Sequence, residues 1–333
     1  MKTTANTWLS REEIRALMTP SDLRGLRSLA TTWGLIALAF AVLLYCPSRP
    51  LGWVLAVVLL GGRQLALAIL MHECSHGSLF ETRALNEHLG TWLIAAPVWQ
   101  RLGDYRRHHL RHHAHTSLEG DPDLGLIAPF PTTRWGLLRK LLRDVTGVAF
   151  LRRTGAMLLM DAGVLTYSAS TGQQRVVPRP PVPSMVRGLW LNTGPMLLTN
   201  FALWGLLAAL GHGWLYLAWV LANATTFSLF LRLRSIAEHG MTEAGDDPLR
   251  HTRTTRANPL ARLTVAPHHV NYHLEHHLLP TVPHYRLARL HALLRERGAY
   301  ERATYARGYL EVLSLCLRSG ERAGVTGAAA ERR

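Results

Sequence analysis

Residues 51–76 read LGWVLAVVLLGGRQLALAILMHECSH, an apolar run that ends in two histidines. The part at 51–71 approaches the roughly 20 apolar residues that a helix needs to cross the hydrocarbon core of a bilayer. Residues 29–46 form a similar segment without a charge, and only a short linker separates the two. We therefore expect a transmembrane hairpin. Arg63 and Gln64 are costly in lipid, so they either weaken this prediction or face the protein interior.

A second pair of apolar segments, at residues 187–210 and 213–233, is separated only by the turn GHG at 211–213. Two helical hairpins would place both termini and the long middle segment on the same side of the membrane. The two outer turns contain a single arginine, Arg49, whereas the inner segments hold nearly all the other basic residues. Because cytoplasmic loops are enriched in Lys and Arg, this pattern predicts a multi-pass protein of a bacterial cytoplasmic membrane with cytoplasmic termini.

The segments that flank the spans divide the 333-residue chain into three parts. Residues 1–28 are typical of a cytosolic amphipathic segment, in which Ser10 and Glu13 have the spacing of a helix capping box. Residues 29–292 form the predicted membrane domain. Residues 293–333 are expected to be a cytosolic C-terminal helix followed by a disordered tail.

The overall charge suggests two classes of partner. Lys and Arg total 37 against 22 Asp and Glu, a formal net charge of +15, which suits nucleic acid or an anionic membrane surface. The sequence contains no aromatic–basic stripe and no recognition helix, so we expect no nucleic-acid partner. Three cysteines without a C-x-x-C pair argue against a disulfide scaffold and against a cysteine-based zinc site.

Histidine has the most uneven distribution along the chain. Twelve of the 18 histidines fall within residues 72–76, 108–115 and 268–277. In each window, members are spaced i, i+4 or i, i+3, i+4, so on a helix they would share one face with Cβ atoms about 5–6 Å apart. That is the spacing of side chains that share a metal. The spaced histidines are His72 and His76; His109, His112 and His113; and His273, His276 and His277.

Eight spaced imidazoles exceed the ligand number of one ion, since a zinc site usually has four ligands. The count therefore predicts two metals, and imidazole suits iron, copper, nickel and zinc alike. All three clusters reach the same predicted membrane face, where a lipid is accessible, which favours a redox metal and oxygen chemistry. Histidines just outside the pattern could be ligands, supports or surface residues: His108, His115, His268 and His269. Five others are not expected to be ligands: His88, His212, His251, His284 and His291.

A competing interpretation starts from the first cluster alone. Residues 72–76 match H-E-x-x-H, in which two histidines bind zinc and the glutamate, here Glu73, acts as general base of a metalloprotease. At the end of a membrane helix this would indicate an intramembrane zinc protease. That interpretation gives the other two clusters no role.

At these residues the sequence resembles the membrane-bound fatty acid desaturase and hydroxylase family, which has three histidine boxes. MHECSHGSLF at 71–80 is similar to the first box, YRRHHLRHHAHTSLEGDPD at 105–123 to the second, and NYHLEHHLLPTVPHYRLARLH at 271–291 to the third. RSIAEHG at 234–240 is similar to the segment that supplies a further iron ligand, which implicates His239. Some relatives have Asn four residues before that histidine, where this chain has Ser235.

The resemblance implies an all-α integral membrane bundle of about four transmembrane helices in two hairpins, with a cytosolic helical cap that holds a di-metal site. It implies two Fe ions and O2 as co-substrate, in an oxidation of an unactivated C–H bond of a lipid chain. Fatty acyl desaturation is the leading expectation, and lipid or carotenoid hydroxylation or ketolation is the alternative. The expected ligands are His72, His76, His109, His112, His113, His239, His273, His276 and His277.

Five carboxylates near the boxes are candidates to orient the ligand rings by accepting the second ring N–H. They are Glu73, Asp121, Asp123, Glu238 and Glu275. Helix capping or a solvated surface position is an equally good expectation for each of them.

Electrons are expected from a separate protein, because the sequence contains no cytochrome b5 H-P-G-G signature, no ferredoxin cysteine spacing and no G-x-G-x-x-G fingerprint. A ferredoxin, or a cytochrome b5-like protein with its reductase, is the expected donor. The Arg-rich cytosolic face offers a docking surface for such an acidic protein.

Overall fold

The computed structural model describes residues 5–170 and 172–317, and it is predominantly helical, which confirms the all-α prediction. In chain order the α-helices are α1 (Arg11–Met18), α2 (Asp22–Tyr45), α3 (Arg49–His76), α4 (Arg83–Leu89), α5 (Leu102–His115), α6 (Leu124–Ile127), α7 (Arg134–Val145), α8 (Val148–Asp161), α9 (Val182–Ala209), α10 (Tyr216–Ala222), α11 (Ser228–His239), α12 (Pro259–Leu263), α13 (His273–Leu278), α14 (His284–Glu296) and α15 (Tyr309–Leu315).

Shorter elements connect these helices. The 3-10 turns are Ala5–Thr7, Ala96–Val98, Gly213–Leu215, Pro267–His269 and Ala299–Glu301, and the π-helical segments are Gly90–Ala95 and Asn223–Phe227. The segment Asn223–Phe227 joins α10 to α11 without a break, so the chain is helical from Gly213 to His239. Two two-residue strands, β1 (Thr254–Thr255) and β2 (Tyr305–Ala306), pair in parallel.

Helix α3 is the central element of the bundle. It forms a hairpin with α2 and also contacts α5, α10 and the π-helical segment before α11. Because neighbours surround it, nearly every side chain from Leu60 to Ser75 is buried, as expected for a helix that is apolar all round. The helix extends five residues beyond the predicted span and ends at His76. The first histidine box therefore continues the membrane helix without a loop.

The two polar residues within α3 face the protein interior. Arg63 is 4% exposed and donates to the carbonyl oxygen atoms of Leu263, at 2.8 Å, and Arg262, at 3.2 Å. Gln64 is fully buried and donates to the carbonyl of Trp219 at 2.9 Å. Each side chain thus replaces water with a backbone acceptor, which reduces the cost of its position, although Arg63 Nε and Gln64 Oε1 are buried without a partner in the described chain.

Three helices of the described chain are long and apolar enough to cross a membrane: Asp22–Tyr45, Arg49–His76 and Gly213–His239. These contain three of the four predicted spans. The remaining predicted span is the third in chain order, at 187–210. It lies in α9, which has 28 residues but does not reach the same hydropathy. Its polar residues explain the difference. Asn200, for example, is buried and accepts hydrogen bonds from a tyrosine and a tryptophan of the neighbouring helix.

Helix α9 nevertheless exposes a broad apolar surface. Many of its large apolar side chains are exposed in the isolated protein, among them Trp190, Leu191, Phe201 and Leu206, each more than half exposed. An apolar surface of this size on one helix is typical of contact with lipid or another protein. The third span therefore stays a prediction, supported by this surface and by the length of the helix.

The N-terminal segment packs against the helix that follows the third histidine box. Ser10 and Glu13 form the predicted capping box at the start of α1, with Ser10 N–H donating to Glu13 Oε2 at 2.8 Å. Leu9 and Leu17 share an apolar cluster with Leu290 of α14. The predicted boundary at residue 28 falls inside α2, and that at 292 falls inside α14. The predicted tail from about residue 318 lies outside the described residues.

Helices α7 and α8 form a hairpin that the sequence analysis did not predict. Both helices contact the π-helical segment Asn223–Phe227, and α7 also contacts α11 while α8 contacts α9. The turn between them contains Gly147, which adopts a left-handed backbone (φ 80°) and lies close to Ala224. The hairpin therefore lies along the apolar helix Gly213–His239 and closes one side of the space next to the histidines.

Candidate metal centre

Four helices bring nine histidines to one place. The C-terminal end of α3 carries His72 and His76, and the last residue of α11 is His239. The other two histidine sets lie on α5 and α13, so both segments have the helical conformation that the spacing argument required. All nine residues that the sequence analysis selected converge: His72, His76, His109, His112, His113, His239, His273, His276 and His277.

Five of the histidines form a first group with one ligand atom each, all within 4.8 Å of one another. The group takes members from three boxes: His72, His76, His109, His113 and His276. The ring of His72 contacts histidines of both other helices, since its centre is 4.4 Å from that of His109 on α5 and 4.3 Å from that of His276 on α13.

The remaining histidines form a second group beside the first. His112, His239 and His277 place their ligand atoms within 4.8 Å of one another, and His239 Nε2 lies 2.8 Å from His273 Nε2. The rings of His113 and His277 stack with their centres 4.2 Å apart, so the two groups adjoin. A third set, Glu238, His239 and His273, shares His239 with the second group, and we count His273 in that group. This arrangement of the nine histidines is compatible with the two metals expected from the sequence.

The donor atoms of these groups fit metal ions. Nε2 of His72, His76 and His277 is buried without a hydrogen-bond partner in the described chain, and such an orphaned acceptor is costly unless it binds something. Two nitrogens each about 2.1 Å from a shared ion and about 90° apart would lie about 3 Å from each other. The Nε2–Nε2 distances of 2.8–3.0 Å between neighbouring rings agree with that geometry. All-imidazole donors suit iron, zinc, copper or nickel.

Burial keeps most of these rings in the form that binds metal. It lowers the pKa of His109, His113, His276 and His277 well below the ordinary imidazole value, so they are neutral. His112 differs. Burial lowers its pKa, but the hydrogen bond to Asp121 and the nearby carboxylates act more strongly, and its pKa is raised.

Two of the five candidate carboxylates hold histidines of the second box. His112 Nδ1 lies 2.8 Å from Asp121 Oδ1, and Asp121 also accepts the backbone N–H groups of Ser117 and Asp123. With its proton on Nδ1, His112 leaves Nε2 free for the second group. Asp123 binds Nε2 of His108 at 2.9 Å, which accounts for a histidine just outside the spacing pattern. Burial raises the pKa of Asp123, but the hydrogen bond from His108 and the nearby His112, His108 and His239 together lower it to about 2.

The other carboxylates differ in their contacts. Glu73 Oε1 lies 3.2 Å from His72 Nδ1, and its Oε2 accepts the backbone N–H of His284 at 2.7 Å. Glu238 accepts a hydrogen bond from Arg234 at 2.6 Å and lies 3.5 Å from His273 Nδ1.

Glu275, the fifth candidate carboxylate, is completely buried, but its described partners are Thr254, His291 and Tyr300 rather than a ligand ring. It links α13 to β1 and to α14.

Some contacts of the centre were not predicted. His239 Nδ1 lies 3.4 Å from the backbone carbonyl of His251, a residue with no expected role, and a backbone acceptor leaves no signal in the sequence. The pair of Arg234 and Glu238, in contrast, has i, i+4 spacing that could have been read directly. His268 and His284 form a separate contact next to α2, with ring centres 4.8 Å apart. His115 is exposed.

A cavity of about 620 Å³ opens on the second group and on His109 of the first. At that end it is lined by His109, His112, His239 and His273. Its walls come from α5, α8 and α11 and include apolar side chains such as Met157, Met160, Leu231 and Ile236. The volume lies within the range of small-molecule sites.

Comparison with known proteins identifies a family for this chain. The family model for fatty acid desaturases matches residues 48–309. The chain is 28% identical to the dihydrorhizobitoxine desaturase of Bradyrhizobium elkanii over 302 residues, which covers 88% of this chain and 81% of that protein. It is 28% identical to a beta-carotene ketolase of Paracoccus sp., with coverage of 74% and 82% respectively. It is 25% identical to an sn-1 acyl-lipid omega-3 desaturase (ferredoxin) of Synechocystis sp., with coverage of 81% and 74%.

The matched region contains all nine converging histidines and two of the three helices that are apolar enough for a membrane, α3 and the helix Gly213–His239. Helix α2 precedes it. The relatives are oxidoreductases named as desaturases or ketolases. The chain belongs to the fatty acid desaturase family.

Proposed function

We propose that this protein is an O2-dependent di-iron oxidoreductase that acts on an unactivated C–H bond of a lipid chain, with fatty acyl desaturation as the leading reaction. The observation that carries this proposal is the opening of a partly apolar cavity onto two adjoining groups of imidazoles. Bound iron would supply the activation of O2 that hydrogen removal from such a bond requires.

The residues of the chain divide the remaining tasks. His72, His76, His109, His113 and His276 would hold one ion, and His112, His239, His273 and His277 the other. Asp121 fixes the orientation of His112. The cavity walls would hold the aliphatic chain next to His109 and His112 and keep water from it.

The electron donor and the orientation in the membrane are part of the same proposal. We place the metal centre and both termini at the cytoplasmic face of a bacterial membrane, where a ferredoxin or a cytochrome b5-like protein with its reductase delivers electrons. The printed name of the Synechocystis relative includes ferredoxin, which supports a donor of that kind. The excess of basic residues on the inner segments supports both the orientation and the docking of an acidic partner.

Hydroxylation or ketolation of a lipid or carotenoid is the second candidate. The beta-carotene ketolases among the relatives favour it, since they match this chain about as well as the acyl-lipid desaturases do. The two reactions start from the same hydrogen removal, and the shape of the cavity around the target carbon decides between them.

A zinc protease built on residues 72–76 fits less well. A general base must reach a water molecule next to the metal, whereas the oxygens of Glu73 are bound to His72, His284 and Ser78. Three further histidines also share the group of His72 and His76, which leaves no need for a two-histidine zinc site.

The direct test is expression in a host that lacks related enzymes, together with a ferredoxin and its reductase, followed by mass spectrometry of total lipids and carotenoids. A new unsaturated acyl chain supports desaturation, and a chain or carotenoid that gains oxygen supports the second candidate. His276→Ala serves as the inactive control, because it removes a ligand of the first group. Unchanged lipids in the presence of iron-loaded protein and a reduced donor would contradict the proposal.

A further inference from the structure

The cavity beside the histidines contains a cationic region away from the metal groups. Four basic side chains line it there, from the α7–α8 hairpin: Lys140, Arg143, Arg152 and Arg153. Arg232 of α11 lines the same region. Among the described residues of α7 and α8 that line the cavity, Asp144 is the one carboxylate.

The carboxylate is already paired. Arg232 forms a bidentate contact with Asp144, with Nη2 donating to Oδ1 at 2.9 Å. Within residues 5–170 and 172–317, the four cations of the hairpin form no ion pair. Arg153 instead binds neutral acceptors, Asn223 Oδ1 at 2.8 Å and Ser228 Oγ at 3.2 Å. Its guanidinium lies over the ring of Phe227 at 5.0 Å.

Partly buried cations without an anionic partner carry a desolvation cost that a bound anion would reduce. Arg143, Lys140 and Arg153 are each partly buried rather than fully exposed. Because none of them forms an ion pair with a carboxylate of the described chain, their charge is available to a ligand in the cavity.

The distance along α11 relates this region to the metal centre. Arg232 precedes His239 by seven residues, which corresponds to about 10 Å along the helix axis. Between them the lining of the cavity includes the apolar side chains Met157 and Met160 of α8 and Ile236 of α11, beside Ser235 and the paired Arg234 and Glu238. The lining of the cavity thus combines the cations of the hairpin, apolar side chains and the imidazoles of the metal centre.

We propose that the substrate of this site carries an anionic group, a carboxylate or a phosphate, that binds to Lys140, Arg143 and Arg153 while its aliphatic chain extends towards His109 and His112. The inference rests on the proposed function and narrows its substrate class. A hydrocarbon without a charged group would leave the cations unpaired, so the arrangement favours an acidic acyl substrate over a neutral carotenoid.

The experiment compares matched ligands that differ in charge. Purified full-length protein in neutral detergent binds a fluorescent fatty acid, which is displaced by palmitic acid or by methyl palmitate at a pH where the acid is ionised. A second pair, phosphatidic acid and diacylglycerol, distinguishes a phosphate headgroup from a free carboxylate as the source of the charge. We expect the anionic member of at least one pair to bind about tenfold or more tightly than its neutral partner, since hydrogen bonds to a charged group are the strong ones.

Substitutions of the basic residues test which of them bind the anionic group of the ligand. Arg143→Gln and Arg153→Gln should each weaken binding of the acid and leave binding of the neutral partner unchanged, which also shows that the variants are folded. Arg139→Gln is the matched control, because Arg139 lies on α7 but is exposed and does not line the cavity. Equal binding of charged and neutral ligands by the unmodified protein would overturn the inference even if neither variant folds. So would an equal loss in Arg139→Gln.

The binding experiment tests the inference separately from the proposed oxidation reaction. Binding is measured without electron donor, so a failure of lipid oxidation would count against the proposed function alone. A protein that oxidises lipids but does not distinguish acid from ester would retain the function and lose the inference.

Discussion

Nε2 of His113 lies 2.9 Å from Nε2 of His276, although 163 residues separate them in the chain. The same atom of His113 lies 3.0 Å from Nε2 of His109. Three imidazole nitrogens from two helices thus point at one another in a buried space. Neutral rings gain little from such an arrangement unless a shared cation occupies the space between them, so the geometry leads directly to a prediction about metal content.

Protein purified without chelators from iron-supplied cells should contain about two metal ions per chain, because the nine histidines form two groups and a single ion takes far fewer ligands. The variant His276→Ala should lose metal from the first group, and the variant His239→Ala should lose metal from the second. Elemental analysis by mass spectrometry measures both. His88→Ala is the control, since His88 is exposed on α4. Two ions retained in both ligand variants would contradict the assignment.

Asp121→Asn should weaken binding at the second group, because the carboxylate accepts hydrogen bonds from His112 Nδ1 and from two backbone N–H groups. The amide offers one acceptor atom fewer and no charge. Loss of a residue that orients a metal ligand typically lowers affinity by about 10–100-fold. Competition against a chelator of known affinity measures this change in metal affinity. Glu119→Gln, at an exposed position in the same segment, should leave the affinity as it was.

Local spacing was enough to predict which histidines converge, whereas contacts between distant segments could not be predicted from it. The histidines of α5 and α13 could be recognised because residues with i, i+3, i+4 spacing lie on the same face of a helix. Glu275 shares its segment with three of them, yet it contacts Thr254, His291 and Tyr300, and the sequence around it does not contain that information.

The predicted spans also show that contacts between distant segments cannot be read from local sequence. Residues 51–71 were apolar enough to recognise, but the polar residues of α9 and the position of the α7–α8 hairpin depend on partners elsewhere in the chain. Asn200 is compatible with an apolar helix because Tyr216 and Trp219 donate to it. The charges of the hairpin gave no indication that it would line a cavity.

Cys46 provides a natural probe of the proposed orientation. It is partly exposed in the turn between α2 and α3, whereas Cys74 and Cys316 are buried. In intact spheroplasts, a membrane-impermeant thiol reagent should label Cys46 from outside, because that turn is predicted to lie opposite the metal centre. The variant that combines Cys46→Ser with Glu119→Cys should be labelled only after the membrane is permeabilised. The reverse pattern would show that the protein is inserted the other way round.

Gly62→Ala tests how the central helix supports the third histidine box. A Cβ at this position would collide with the backbone carbonyl of Leu263, at the end of α12, which precedes the 3-10 turn and α13. Neither backbone can yield easily, and overpacking of this kind typically costs about 1–3 kcal/mol. We expect a lower temperature of unfolding in detergent and a lower metal content. In Gly34→Ala the new methyl group meets open space within α2, so that variant should be as stable as the unmodified protein or slightly more so. Equal behaviour of the two variants would mean that α3 and α12 do not approach each other this closely.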